Sequence, residues 1–151
     1  MRMGKITAKA VIECVKAINY LSLDSRKSVT SEKVHKYLRM SFEYVNDAIE
    51  VAIIMQFINN GESLTLSSAG QKLISSTTNQ SQILFRKQLL KLPNINQLIV
   101  LISEGNSFED AVNKIIVSYN IQGKEKEILY SFRNLMLFAN MIGPEGTIEK
   151  E

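Results

Sequence analysis

The sequence contains no tryptophan, one cysteine, one histidine and two prolines in 151 residues. A lone Cys14 cannot form an internal disulfide, and Cys14 with His35 cannot supply the three or four protein ligands of a zinc site. No apolar run approaches the roughly 20 residues that span a bilayer. The N-terminus, Met1-Arg2-Met3-Gly4-Lys5, is basic, but polar residues interrupt the stretch after it, so no signal-peptide core forms. Gly61, Gly70 and Gly105 stand apart from one another, which excludes a glycine-rich phosphate loop. The expectation is a cytoplasmic chain with no metal, no cofactor and no membrane attachment.

Catalytic groups are equally sparse. His35 has only Glu32 three residues before it, a helix-surface arrangement rather than a general base with its orienting partner. Cys14 falls among apolar residues at helical spacing, the setting of a buried and inert thiol. Glu109-Asp110 and Glu125/Glu127 sit near helix starts, where the backbone dipole alone accounts for them. The chain is expected not to be an enzyme.

Present in ordinary amounts are apolar residues, 45%, and charged residues, 22%, the balance of a globular protein. The length suits one compact domain or two very small ones. The net charge is +3, but its placement is uneven. Residues 1–40 carry +6, residues 41–71 carry −4 with no base at all, residues 72–91 carry +4 and residues 92–151 carry −3. Such blocks can mark an electrostatic footprint.

Periodicity predicts a helix over 6–23, with Thr7 as its cap and Ala10, Val11, Cys14, Val15, Ala17, Ile18 and Leu21 as its apolar stripe. A short helix comes next, capped by Thr30 or Ser31, with Val34, Tyr37 and Leu38 inward and Lys33, Lys36 and Arg39 outward. After a turn of about three residues, Ser41 opens a third helix. Val45, Ala48, Ile49, Ala52 and Ile53 are expected inside, and Glu43, Asn46, Asp47 and Glu50 outside. The period then changes: residues 57–66 suggest two short strands around Asn60-Gly61. Ser67 caps the next helix. Helix, helix, turn, helix, hairpin is the order of a winged helix-turn-helix, and Leu66-Ser67-Ser68-Ala69-Gly70 resembles the step after the wing in many such domains.

The second half repeats the order more loosely. Helices are expected at 82–92, ended by Pro93; at 95–103, stopped by Gly105; after Ser107; and from 124 to about 141. A stunted wing through Gly143-Pro144-Glu145-Gly146 comes after the last. The helix at 82–92 has Ile83, Leu84, Leu89 and Leu92 as its apolar face. The predicted fold is mainly α: tandem winged helix-turn-helix-like units with one or two short β-hairpins. Residues 1–76 form the first unit; residues 77–151 form a connecting helix and a second, degenerate unit.

The stretch from about Leu64 to Gly143 resembles the AAA-associated domain, through Leu66-Ser67-Ser68-Ala69-Gly70, Leu84-Phe85-Arg86-Lys87-Gln88-Leu89-Leu90 and the closing helix from Phe132 to Ile142. That family occurs at the C-terminus of some ABC-transporter ATPase subunits and as free-standing prokaryotic proteins of about this length. Its closing helix tends to carry Trp, Arg and Tyr where this chain has Phe138, Asn140 and Met141. The resemblance implies a fold more than an activity.

In a winged helix, outward residues near the start of the third helix normally enter the major groove. The candidate DNA-contacting residues are Arg26, Lys27, Lys33, Lys36, Arg39, Tyr44 and Asn46. Asn46 could read adenine, and the cations could hold phosphates. The third helix itself lacks Arg and Lys, so its acids oppose the usual docking. Two functions therefore compete: DNA binding in transcription regulation, or a protein-interaction module of AAA-associated type that docks through its winged-helix surface. Duplex DNA, a protein partner and a second copy of the chain are the partners the pattern admits.

Overall fold

The computed structural model describes residues 1–24 and 26–148. The protein is mainly helical: the described residues form eight helices, which take up 61% of those residues, and one small two-stranded antiparallel sheet. It divides into two compact units: Ile6–Gln80, and Met1–Lys5 together with Ser81–Glu151. A cut after residue 76 would leave residues 1–5 with the first unit. They belong with the second because their backbone is bonded there: the Met3 N–H donates to Gln122 O at 2.9 Å and the Gln122 N–H donates to Met1 O at 2.8 Å.

In the first unit, α1 (Ala8–Leu21) is the central element, packing against α2 (Ser31–Leu38), α3 (Phe42–Ile54) and α4 (Ser68–Ile74). Its start is the expected one: the Thr7 hydroxyl accepts from the Ala10 N–H at 3.1 Å, occupying a donor that has no intrahelical partner. Ala10, Val11, Cys14, Val15, Ala17 and Ile18 are all buried. Thr30 and Ser41 cap α2 and α3 in the same way, accepting from the N–H groups of Lys33 and Tyr44 at 3.3 Å each.

Two expected faces differ. Tyr37 is exposed rather than part of the inner stripe of α2, and it stacks on the exposed Tyr20, ring centroids 5.0 Å apart. A single short helix needs only Val34 to anchor it, so Tyr37 is left to cover the outer edge of α1. On α3, Asp47 is buried, not outward, and Val51 is buried with Val45, Ala48, Ile49 and Ala52. α3 packs against both α1 and α2, so its buried arc is wider than one stripe and takes in Asp47.

Strands β1 (Ile58–Asn59) and β2 (Thr65–Leu66) pair Ile58 with Leu66 and Asn59 with Thr65. The connection is therefore a loop over 60–64, not a tight Asn-Gly turn. Leu64 explains it: its side chain is buried and its N–H donates to Val29 O at 2.9 Å, while the Val29 N–H donates to Ser63 Oγ at 2.8 Å. Gly70 is required at the start of α4 because a Cβ there would lie 2.2 Å from Phe57 O.

The division between the units falls within α5 (Thr78–Leu89), which starts four residues before the expected 82. Thr77 Oγ1 accepts from the Gln80 N–H at 3.3 Å and Gln80 Oε1 accepts from the Thr77 N–H at 2.9 Å, a reciprocal capping box. Its buried face is Ser81, Phe85, Gln88 and Leu89, whereas the expected Ile83 is exposed. Phe85 sets this rotation by packing edge-to-face on Phe138, centroids 4.8 Å apart.

The second unit continues with α6 (Pro93–Ser103), α7 (Phe108–Ser118) and α8 (Glu125–Phe138), with α7 packed against the other two. Pro93 stands at the start of α6, where its missing N–H costs nothing. After α8 the chain turns back: Ile142 bridges Ile148 antiparallel, and the Gly143 N–H donates to Thr147 O at 2.8 Å. The expected small C-terminal hairpin is present as this single bridge.

Candidate nucleic-acid interface

All seven candidate residues lie in the first unit, on the loop before α2, on α2, in the α2–α3 turn and in the first turns of α3. The turn is short because Arg39 adopts a left-handed conformation (φ 58°), its N–H donating to His35 O at 3.0 Å. The His35 ring bonds Met40 O through Nδ1 at 2.5 Å and meets the Phe42 ring edge-on at 5.8 Å. His35, half-buried, thus ties the end of α2 to the start of α3.

The cations differ in how much charge they leave available. Arg26 pairs with Asp24, its Nε 3.2 Å from Oδ1. The guanidinium bond and the Arg26 backbone N–H hold the Asp24 carboxyl below its ordinary range, with Lys27 and Lys33 contributing through charge. Lys36 pairs with Glu32 at 3.3 Å across one helical turn, and Lys33 Nζ donates to Ser28 O. Lys27 and Arg39 are exposed. Two of the five cations are therefore partly neutralised by nearby carboxylates. Ion pairs this exposed contribute little to stability because solvent screens them, so an incoming phosphate could displace them.

The α3 residues are more constrained. Tyr44 is half-buried, with its phenol oxygen 3.4 Å from Thr7 Oγ1. The Asn46 amide donates to Glu50 Oε1 at 3.3 Å, which ties one of its two N–H donors to the next turn of the helix. Phe42 and Glu43 are exposed. With Asp47 buried, the carboxylates that a groove-bound α3 would present are Glu43 and Glu50.

Sequence pattern alone does not reveal the Asp24–Arg26 pair or the Tyr20–Tyr37 stack. A two-residue spacing in a polar loop carries no periodic signal, and the stack joins residues 17 positions apart on separate helices. Cys14 is where its spacing predicts, and burial pushes its thiol up to about 12, with a smaller contribution from Glu13. Among the described residues, no group of three or more His, Cys, Asp or Glu side chains is arranged to hold a metal ion. No helix among them is long and apolar enough to cross a membrane. Comparison of the chain with protein families, with curated proteins and with solved structures finds no match.

Proposed function

We propose that this chain is a winged helix-turn-helix protein that binds duplex DNA without catalysis, in a cytoplasmic, transcription-regulatory role. The observation that carries the reading is the pair of bonds between Val29 and the Ser63-Leu64 arm of the hairpin. They tie the segment before α2 to the hairpin after α3, as a wing would be tied to its helix-turn-helix. Lys27 in the loop before α2, Lys33 and Lys36 on α2 and Arg39 at its end would hold phosphates. Most DNA affinity comes from this neutralisation, and its signature is a steep salt dependence. Base preference should be slight, because α3 offers no arginine to read guanine.

The Asn46–Glu50 bond and the exposed Phe42 beside Glu43 favour a second reading. On that reading the α3 face docks on a protein partner or a second copy, as the likeness to the AAA-associated domain would suggest. Gel-shift titrations at two salt concentrations, run alongside sedimentation, separate the two. Replacing Lys33, Lys36 and Arg39 together by Ala should weaken DNA binding and flatten its salt slope by about one unit for each phosphate no longer held. Glu43→Gln should tighten non-specific binding if α3 lies in the groove. On the docking reading it should leave DNA affinity alone and weaken association. Asp47 is unsuited to this test, since it is buried.

A further inference from the structure

The second unit carries its own array of cations, and they are held differently from those of the first. Lys126, Tyr130 and Arg133 are exposed and spaced four and three residues apart on α8, which puts them on one stripe of the helix. Lys5 joins them from the N-terminal segment, its ammonium 4.7 Å from the centroid of the Tyr130 ring. That segment is fixed beside α8. Besides the two bonds between residues 1–3 and Gln122, the buried Ser131 hydroxyl donates to Gly4 O at 2.5 Å. Arg133 lies over the Phe108 ring, its guanidinium carbon 5.2 Å from the centroid.

A cation resting on an aromatic face is oriented but keeps its full charge, whereas one paired with a carboxylate does not. Among the described residues, no carboxylate forms an ion pair with Lys5, Lys126 or Arg133. The acids nearest to this stripe in sequence are Glu125 and Glu127. Helical spacing sets Glu125 well away from the stripe and Glu127 at its margin, where it is half-buried. By chain order α8 precedes the small C-terminal hairpin as α3 precedes β1 and β2.

We propose that Lys5, Lys126, Tyr130 and Arg133 form a phosphate-holding face for duplex DNA. The charge complementarity is direct: the stripe of Lys126, Tyr130 and Arg133, joined by Lys5 over the Tyr130 ring, offers three cations and a phenol, and phosphate oxygens accept from ammonium, guanidinium and hydroxyl groups alike. This inference rests on the reading of the chain as a DNA-binding protein and adds to it a face in the second unit.

The test is fluorescence anisotropy of a labelled mixed-sequence duplex across a salt series. It compares the full chain with a Lys5→Gln, Lys126→Gln, Arg133→Gln variant and with the Lys33, Lys36, Arg39 to Ala variant. Melting curves verify folding. The single change Lys126→Glu, at an exposed helix position, serves as a second probe should the triple variant be unstable. The expected result is a loss of about tenfold or more at low salt for the triple variant. Its log–log salt slope should be shallower by roughly two to three, at about 0.9 per phosphate. Lys126→Glu should weaken binding in the same direction. Wild-type affinity and slope in both α8 variants, with loss only in the α2 variant, would overturn this inference and leave the proposed function standing. Failure of the unaltered protein to bind duplex at any salt would overturn both.

Discussion

At the scale of single residues, two buried positions carry testable consequences of close packing. Gly70 is one, because its Cα approaches the Phe57 carbonyl so closely that a Cβ would sit 2.2 Å from the oxygen. Backbone, not a flexible side-chain tip, is the obstacle. Gly70→Ala should therefore cost about 2–3 kcal/mol in a urea titration, despite the better helix propensity of alanine. Cys14 is another. With its thiol pushed up to about 12, the folded state retains a proton that the unfolded chain loses near pH 9. The contribution of this group should be constant below pH 9, and stability should fall as pH rises from 9 towards 12. A thiol-specific reagent at pH 8 should label the denatured protein quickly and the native protein hardly at all. Rapid native labelling would contradict the buried placement.

At the scale of elements, caps and period are the legible part. Thr7, Thr30, Ser41, Ser67 and Ser107 each accept the N–H expected of an N-cap, because that chemistry is local and leaves its mark within four residues. The illegible part depends on what an element packs against. Asp47 stands next to a polar residue on α3 and looks outward until α1 and α2 are both laid against that helix. The rotation of α5 is set by Phe138, more than 50 residues away. The start of α5 is different, since its signal is present in Thr77-Thr78-Asn79-Gln80 but stands in a polar stretch resembling a linker. Thr77→Ala removes the capping acceptor and should cost about 1 kcal/mol, measured as a lower urea midpoint with unchanged slope. No change in midpoint would mean that the bonds between Thr77 and Gln80 contribute nothing in solution.

At the scale of the whole molecule, the division of labour between charge and fold decides the function. The block charges of the sequence point to the cations around α2, but not to the α8 stripe, whose Lys126 and Arg133 fall in a block of net negative charge, nor to what each cation meets. Pairing of Arg26 with Asp24 and of Lys36 with Glu32 lowers the net field of the α2 edge, while the ring-supported Lys5 and Arg133 keep theirs. No arginine or lysine lies on α3, so the proposed binding must draw its affinity from phosphates and be largely indifferent to sequence. The decisive experiment is the dependence of duplex affinity on salt, measured with two unrelated sequences of equal length. Binding through phosphates should give parallel lines of steep negative slope when log affinity is plotted against log salt, with the two sequences binding alike. Absence of binding at low salt, or affinity that does not change with salt, would contradict it.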